Sequence, residues 1–203
     1  MSSQMTFSDE QTMLLDTATE FCRKHSPIET VRARLDADQI DATTWKEITD
    51  LGWLGINVPE EFGGLGLGLS CVVPVAESMG RYLMGTPYNG AITASECLAT
   101  SGSREQKEEW LPKIVSGAIG AMALIETNGS WILDQIEAQA IASEDMFELS
   151  GTKCFVTDAD AADFYIVSVN VEAKARLALV KREQIPEGNL HREIVIDETR
   201  RSY

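Results

Sequence analysis

Few side chains in this sequence are of types that do chemistry, and their spacing narrows the choice further. The two histidines, His25 and His191, are too few for a histidine-based metal cage. His25 falls at a helix end and His191 after a Pro-Glu-Gly-Asn turn, so each reads as structural. Cys22, Cys71, Cys97 and Cys154 form no C-x-x-C pair and read as buried thiols. The glycine run in Glu61-Phe62-Gly63-Gly64-Leu65-Gly66 invites comparison with a dinucleotide fingerprint, but that motif needs a strand before it and a helix after it. Here a helix and a Val58-Pro59 turn come first, so the run reads as a sharp loop between helices. The acids Glu126, Glu144 and Glu148 stand in no motif that marks a general base. Ser130, Phe155 and Thr157 are, by residue type alone, ordinary β-sheet residues.

The elements that must position these residues change character midway. Ser8-Asp9-Glu10-Gln11 is a capping box, and Leu14, Leu15, Ala18, Phe21 and Cys22 then share one helical face until Pro27. Thr44-Trp45-Lys46-Glu47 reads as a second box, with a stop at Gly52. Helical spacing resumes at Val72, Val75, Ala76 and Met79, and again over Ala91–Thr100. Ser103-Arg104-Glu105-Gln106 opens one more helix, whose apolar face is Trp110, Leu111 and Ile114. Near Gly117–Gly120 the period becomes extended. Strands are predicted over Ala121–Ile125, Ala138–Ala142, Phe147–Leu149, Cys154–Thr157, Tyr165–Val169 and Leu177–Val180. Helices first and strands afterwards imply two domains rather than alternating βαβ units.

Composition excludes several function classes. The 203 residues carry 32 acids against 17 bases, a formal charge of −15 that repels a phosphate backbone. No apolar stretch is long enough to span a membrane. Met1–Glu10 is polar and has no signal-peptide core, so a cytoplasmic protein is the default. Trp45, Trp53 and Trp110 are expected in a helical core. Trp131 is also assigned to packing, and the Met79–Met84 region to core filling, each with a substrate-lining role as the alternative.

Five blocks, in order, resemble the acyl-CoA dehydrogenase family: Trp45–Gly68, Ala76–Leu83, Gly102–Ile125, Phe147–Val169 and Asp197–Arg201. The resemblance implies an α+β multidomain chain. An all-helical N-terminal domain over residues 1–118 would be followed by an antiparallel β-barrel-like middle domain over 119–203. The family's C-terminal helical bundle, with its catalytic glutamate, would be absent, leaving strand edges open and no catalytic residue to assign.

The resemblance also implies FAD as cofactor and α,β-dehydrogenation of an acyl-CoA thioester, with hydride transfer to flavin N5, in fatty acid or lipid catabolism. An electron-transfer flavoprotein would be the acceptor, and the assembly a homo- or hetero-oligomer. Leu124, Ile125, Ser130, Phe155, Val156 and Thr157 would contact the flavin, and Ser130 would also approach the substrate. Ile125 stands where the family usually places a threonine, Thr127 where proline is usual, and Phe155 where tryptophan is usual. These departures keep a second reading open, that of a non-catalytic partner subunit in a heteromeric dehydrogenase. A flavin oxidase or monooxygenase of the same architecture is a third.

Overall fold

The computed structural model describes residues 7–35, 40–143 and 146–203; residues 1–6 of the polar N-terminus, and Glu144, lie outside them. Six α-helices come first among the described residues: α1 (Asp9–His25), α2 (Ile28–Arg34), α3 (Ala42–Asp50), α4 (Val73–Arg81), α5 (Tyr88–Ser101) and α6 (Arg104–Val115). The boxes at Ser8 and Ser103 both form as the sequence predicts, each serine hydroxyl accepting from the third helical N–H while the glutamine side chain reaches back. The box expected at Thr44 does not form. That helix starts three residues earlier, where Asp41 Oδ1 accepts from the N–H groups of Thr43 (3.0 Å) and Thr44 (3.1 Å). A carboxylate meets two unpaired amides and the positive helix end together, which a hydroxyl cannot. The short α2 was not predicted; Pro27 closes α1 and then supplies the fixed φ that opens α2.

Gly63–Gly68 is a loop, as expected. Its chain folds back so tightly that a Cβ on Gly64 would meet the Val58 carbonyl oxygen at 2.1 Å. Trp45, Trp53 and Trp110 are buried, and so are Met79 and Met84, which act as core residues.

Five strands follow among the described residues: β1 (Gly120–Ala123), β2 (Gln139–Ser143), β3 (Met146–Ser150), β4 (Phe164–Val171) and β5 (Lys174–Lys181). The α+β architecture expected from the sequence is present, with a sheet that is mixed and open. β4 pairs antiparallel with β5 along its full length and parallel with β1, while β2 and β3 form an antiparallel hairpin joined to the far end of β4. Among the described residues, the outer edges of β3 and β5 have no partner strand.

Alternation along β4 fixes its two faces. Phe164 and Ile166 turn toward α5 and α6, with the Phe164 ring 4.4 Å from that of Trp110. Tyr165, Val167 and Val169 turn the other way and line an open cavity of about 1190 Å³. The helices reach the sheet at very close range. A Cβ on Gly120 would meet Ala94 Cβ at 2.6 Å, and a Cβ on Gly90 would meet the Gly120 carbonyl oxygen at 2.9 Å. One core therefore runs from Phe21 and Trp53 through Ala91 and Ile92 into Ala121, Val156 and Tyr165.

Candidate functional site

Beyond β1 the chain continues as Leu124-Ile125-Glu126 and lies beside the segment around Cys154. Ile125 and Cys154 form an antiparallel bridge, the Cys154 N–H donating to the Ile125 carbonyl at 2.8 Å. The sequence predicts a regular strand over Cys154–Thr157; the structure has isolated bridges instead. Phe155 adopts a left-handed φ of 57° and Asp158 one of 55°, and each breaks the ladder. For a side chain other than glycine that conformation costs about 1–2 kcal/mol. Its effect here is to leave Phe155 55% exposed while Val156, next along, is buried in the core.

Val156 exchanges backbone hydrogen bonds with Tyr203 at 3.0 and 3.1 Å, which sets Thr157 opposite Ser202. The Thr157 side chain is half-buried, and among the described residues its hydroxyl has no hydrogen-bond partner. An exposed aromatic ring close in sequence to an unpaired hydroxyl can accept a flat polar ring system, by stacking and by one donated hydrogen bond. Ile125 contributes apolar surface and no side-chain donor. These residues fit a flavin, with one contact fewer than a threonine at 125 would give.

Ser130 lies in the loop that follows. Gly129, at φ 66°, closes a turn by donating to the Glu126 carbonyl at 2.8 Å, and Ser130 N–H donates to Asn128 Oδ1 at 2.9 Å. Ser130 Oγ accepts from the Ile132 N–H at 3.1 Å and keeps its own hydrogen to donate. Trp131 is not packed, contrary to the sequence-based expectation. It is 72% exposed and is followed by exposed Ile132 and Leu133, because the loop is tied down through its polar residues and its apolar stretch is left in solvent.

Sequence reasoning missed the group that holds this loop. Glu126 is buried; its Oε1 accepts from the Ala138 N–H (2.8 Å) and from Lys153 Nζ (2.6 Å), and its Oε2 from the Glu137 N–H (2.7 Å). Lys153 also donates to Ser168 Oγ (2.8 Å), which donates onward to the Leu124 carbonyl (2.9 Å). One carboxylate thus ties both ends of the 126–138 loop to β4. Burial alone would push its pKa up, but the Lys153 ammonium and the two amides outweigh that and hold it below the usual carboxylate range. The available signal was its place at the end of an apolar run, where an acid must find partners. With three hydrogen bonds accepted, one of them from an ammonium, and its basicity lowered, Glu126 is unsuited to proton abstraction. Glu148, on β3, is exposed.

The predicted residues do not share one enclosed hollow. Val156 lines the large cavity together with Ala123, Tyr165, Val167 and Tyr203. Leu124, Ile125, Ser130, Phe155 and Thr157 do not line it. His25, at the end of α1, stacks on Phe21 with ring centroids 4.4 Å apart and lies 3.1 Å from Glu47, and His191 is exposed. Cys22 and Cys71 are buried thiols, while Cys97 and Cys154 are only half-buried. Among the described residues no acidic, cysteine or histidine cluster could hold a metal, and no helix is long and apolar enough to cross a membrane.

A helical half laid against an open mixed sheet, with Ile125 bridged to Cys154 at the sheet end, defines the N-terminal and middle domains of the acyl-CoA dehydrogenase architecture. Residues 8–118 match the family described as Acyl-CoA dehydrogenase, N-terminal domain, and the chain belongs to the acyl-CoA dehydrogenase family. It is 29% identical over 180 residues to the mitochondrial isovaleryl-CoA dehydrogenase of Bos taurus, covering 83% of this chain and 41% of that protein. It superposes on a variant of the Tcur3481-Tcur3483 steroid ACAD with a TM-score of 0.86 at 28% identity, covering 96% of this chain and 54% of that one. The ChsE4-ChsE5 complex of Mycobacterium tuberculosis gives a TM-score of 0.79 at 26% identity, covering 88% and 48%. The chain therefore spans about half the length of these relatives.

Proposed function

We propose that this chain supplies the flavin-facing part of an FAD-dependent acyl-CoA dehydrogenase that carries out α,β-dehydrogenation of an acyl-CoA thioester. Its helical domain extends to residue 118 and its β domain begins at 119. The observation that carries the reading is the 154–157 segment, bridged to Ile125, where Phe155 exposes its ring and Thr157 an unpaired hydroxyl. Bound FAD supplies the hydride acceptor; this chain supplies its position. Phe155 would pack against the cofactor, and Thr157 would donate a hydrogen bond to it. Leu124 and Ile125 would close the apolar side and keep water out, while Val156 anchors the segment in the core. Ser130 donates its free hydroxyl hydrogen toward the acyl-CoA arm. No acid of this sequence is proposed as the base that removes the α-proton, and an electron-transfer flavoprotein would take the electrons.

A second reading rests on specific observations. Ile125 offers no hydrogen bond, Phe155 has no indole N–H, and two of the similar structures carry paired subunit names, Tcur3481-Tcur3483 and ChsE4-ChsE5. In this reading the chain is part of a non-catalytic subunit that completes a heteromer.

Titration of the purified full-length protein with FAD, followed by anaerobic addition of straight-chain, branched and ring-bearing acyl-CoA thioesters, separates the two. Tight FAD binding and bleaching of the flavin band support the enzyme. FAD binding and bleaching only after a co-expressed second subunit is added support the partner. No FAD binding in either setting rules out both.

A further inference from the structure

The Phe155 N–H, left without a ladder partner by its left-handed φ, donates to a side chain 38 residues further on, Glu193 Oε2, at 2.8 Å. The same oxygen accepts from Ser202 Oγ at 2.8 Å, and the Glu193 N–H donates to the Ser202 carbonyl at 2.8 Å. Ser202 in turn sits opposite Thr157, between the Val156–Tyr203 and Asp158–Arg201 backbone bonds. One carboxylate is thus joined to Phe155 itself and to the residue facing Thr157.

We infer that Glu193 is a positioning residue for the cofactor face: its carboxylate holds Phe155 in the left-handed conformation that turns the ring outward, and through Ser202 it fixes the register of Thr157. The inference rests on the proposed flavin-facing role of those two residues. Without Glu193 the Phe155 amide loses its partner, and the segment relaxes toward an ordinary extended strand. Alternation would then carry the aromatic ring away from its present exposed position. A charge-assisted hydrogen bond to a backbone amide is the stronger kind, and a glutamine oxygen can replace it in part. Glu193 does not touch the flavin in this scheme and is not a catalytic residue.

The test measures FAD dissociation constants and visible flavin spectra of the full-length protein in two backgrounds, wild type and Phe155→Ala. In the wild-type background, Glu193→Ala is expected to weaken FAD binding about tenfold and to move the flavin spectrum toward that of free FAD, while Glu193→Gln stays within about threefold. In the Phe155→Ala background the same Glu193→Ala change should weaken binding by no more than about threefold, because the group it positions is gone. Equal losses in both backgrounds, or a glutamine variant as weak as the alanine one, would mean that Glu193 only stabilises the fold, and the inference fails. If Glu193→Ala does not fold, Ser202→Ala breaks one arm of the same clasp, and about threefold weaker binding with a shifted spectrum is expected; wild-type affinity and spectrum would overturn the inference. A wild-type protein that binds no FAD fails the proposed function itself, an outcome distinct from any of these.

Discussion

Lys153 Nζ lies 2.6 Å from Glu126 Oε1, with side-chain exposures of 9% and 6%, and the pair joins the loop that bears Ser130 to the segment that bears Phe155. Breaking such a pair from one side strands a buried charge. Lys153→Met is therefore expected to lower stability by about 3 kcal/mol, whereas Lys153→Met combined with Glu126→Gln should cost much less, since no unpaired charge remains. Denaturant melts of the two variants check this. Equal losses would show that the ion pair is not what holds the loop.

The same carboxylate makes stability depend on pH in a defined direction. Its folded-state pKa lies below the ordinary 4.5, so its contribution is complete above that value and drains away as pH falls through the lower, folded one. Asp41 and Glu109 are shifted down as well, so the whole protein loses stability in acid. Subtracting the melting curve of Glu126→Gln from that of the wild type isolates this residue. The difference should be flat above about pH 5.5 and shrink below 4.5. A difference that grows on acidification would contradict the assigned partners.

Two glycines give an opposed pair of outcomes. A Cβ on Gly85 would meet the Thr199 carbonyl oxygen at 2.2 Å, whereas one on Gly80, near the end of α4, meets nothing within 4 Å. Gly85→Ala should push the 197–203 segment off the helical half and cost about 1–3 kcal/mol. Gly80→Ala should stabilise by about 0.5–1 kcal/mol through helix propensity. Thermal melts of both variants decide whether the 197–203 segment docks as closely as described.

How far the sequence could be read depended on the range of the physics. The helix starts at Ser8 and Ser103 were legible because a capping box is local, written within four residues. The start of α3 was misplaced by three residues because Asp41 and Thr44 both suit a cap and only geometry chooses between them. Tyr165–Val169 announced a strand through its apolar composition, but alternation could not say that β1 would run parallel to it. The site was legible only in outline. Residue type could nominate Phe155 and Thr157 once the family resemblance was in view, yet it could not show that Phe155 leaves the extended conformation. That depends on Glu193, far away in sequence, just as the burial of Glu126 depends on Lys153.

If Thr157 donates to the flavin, removing its hydroxyl should affect binding more than folding. Thr157→Val keeps the shape and is expected to weaken FAD binding by about five- to tenfold, the worth of one hydrogen bond, with little change in melting temperature. Ile125→Thr should act in the opposite sense on affinity by supplying the missing donor, while losing about 1 kcal/mol of stability through reduced apolar burial. Fluorescence titration with FAD, run beside thermal melts, reads both quantities. Unchanged affinity in both variants would mean that neither side chain faces the ring.

Trp131 offers a direct check on the loop itself. Of the four tryptophans, Trp45, Trp53 and Trp110 are buried, and Trp131 alone stands 72% in solvent. Its emission should be red-shifted and open to collisional quenching by iodide, while the other three resist. Trp131→Phe should remove most of the quenchable fraction and leave stability within about 0.5 kcal/mol, as expected at an exposed position. The loop bears Ser130, so the same fluorophore also reports on the site. Its neighbours Ile132 and Leu133 are exposed too, and any ligand or subunit that covers this stretch must shield the indole. Protection from iodide on adding an acyl-CoA would place the substrate arm along the loop. Protection on adding a second subunit, without substrate, would place a protein interface there instead.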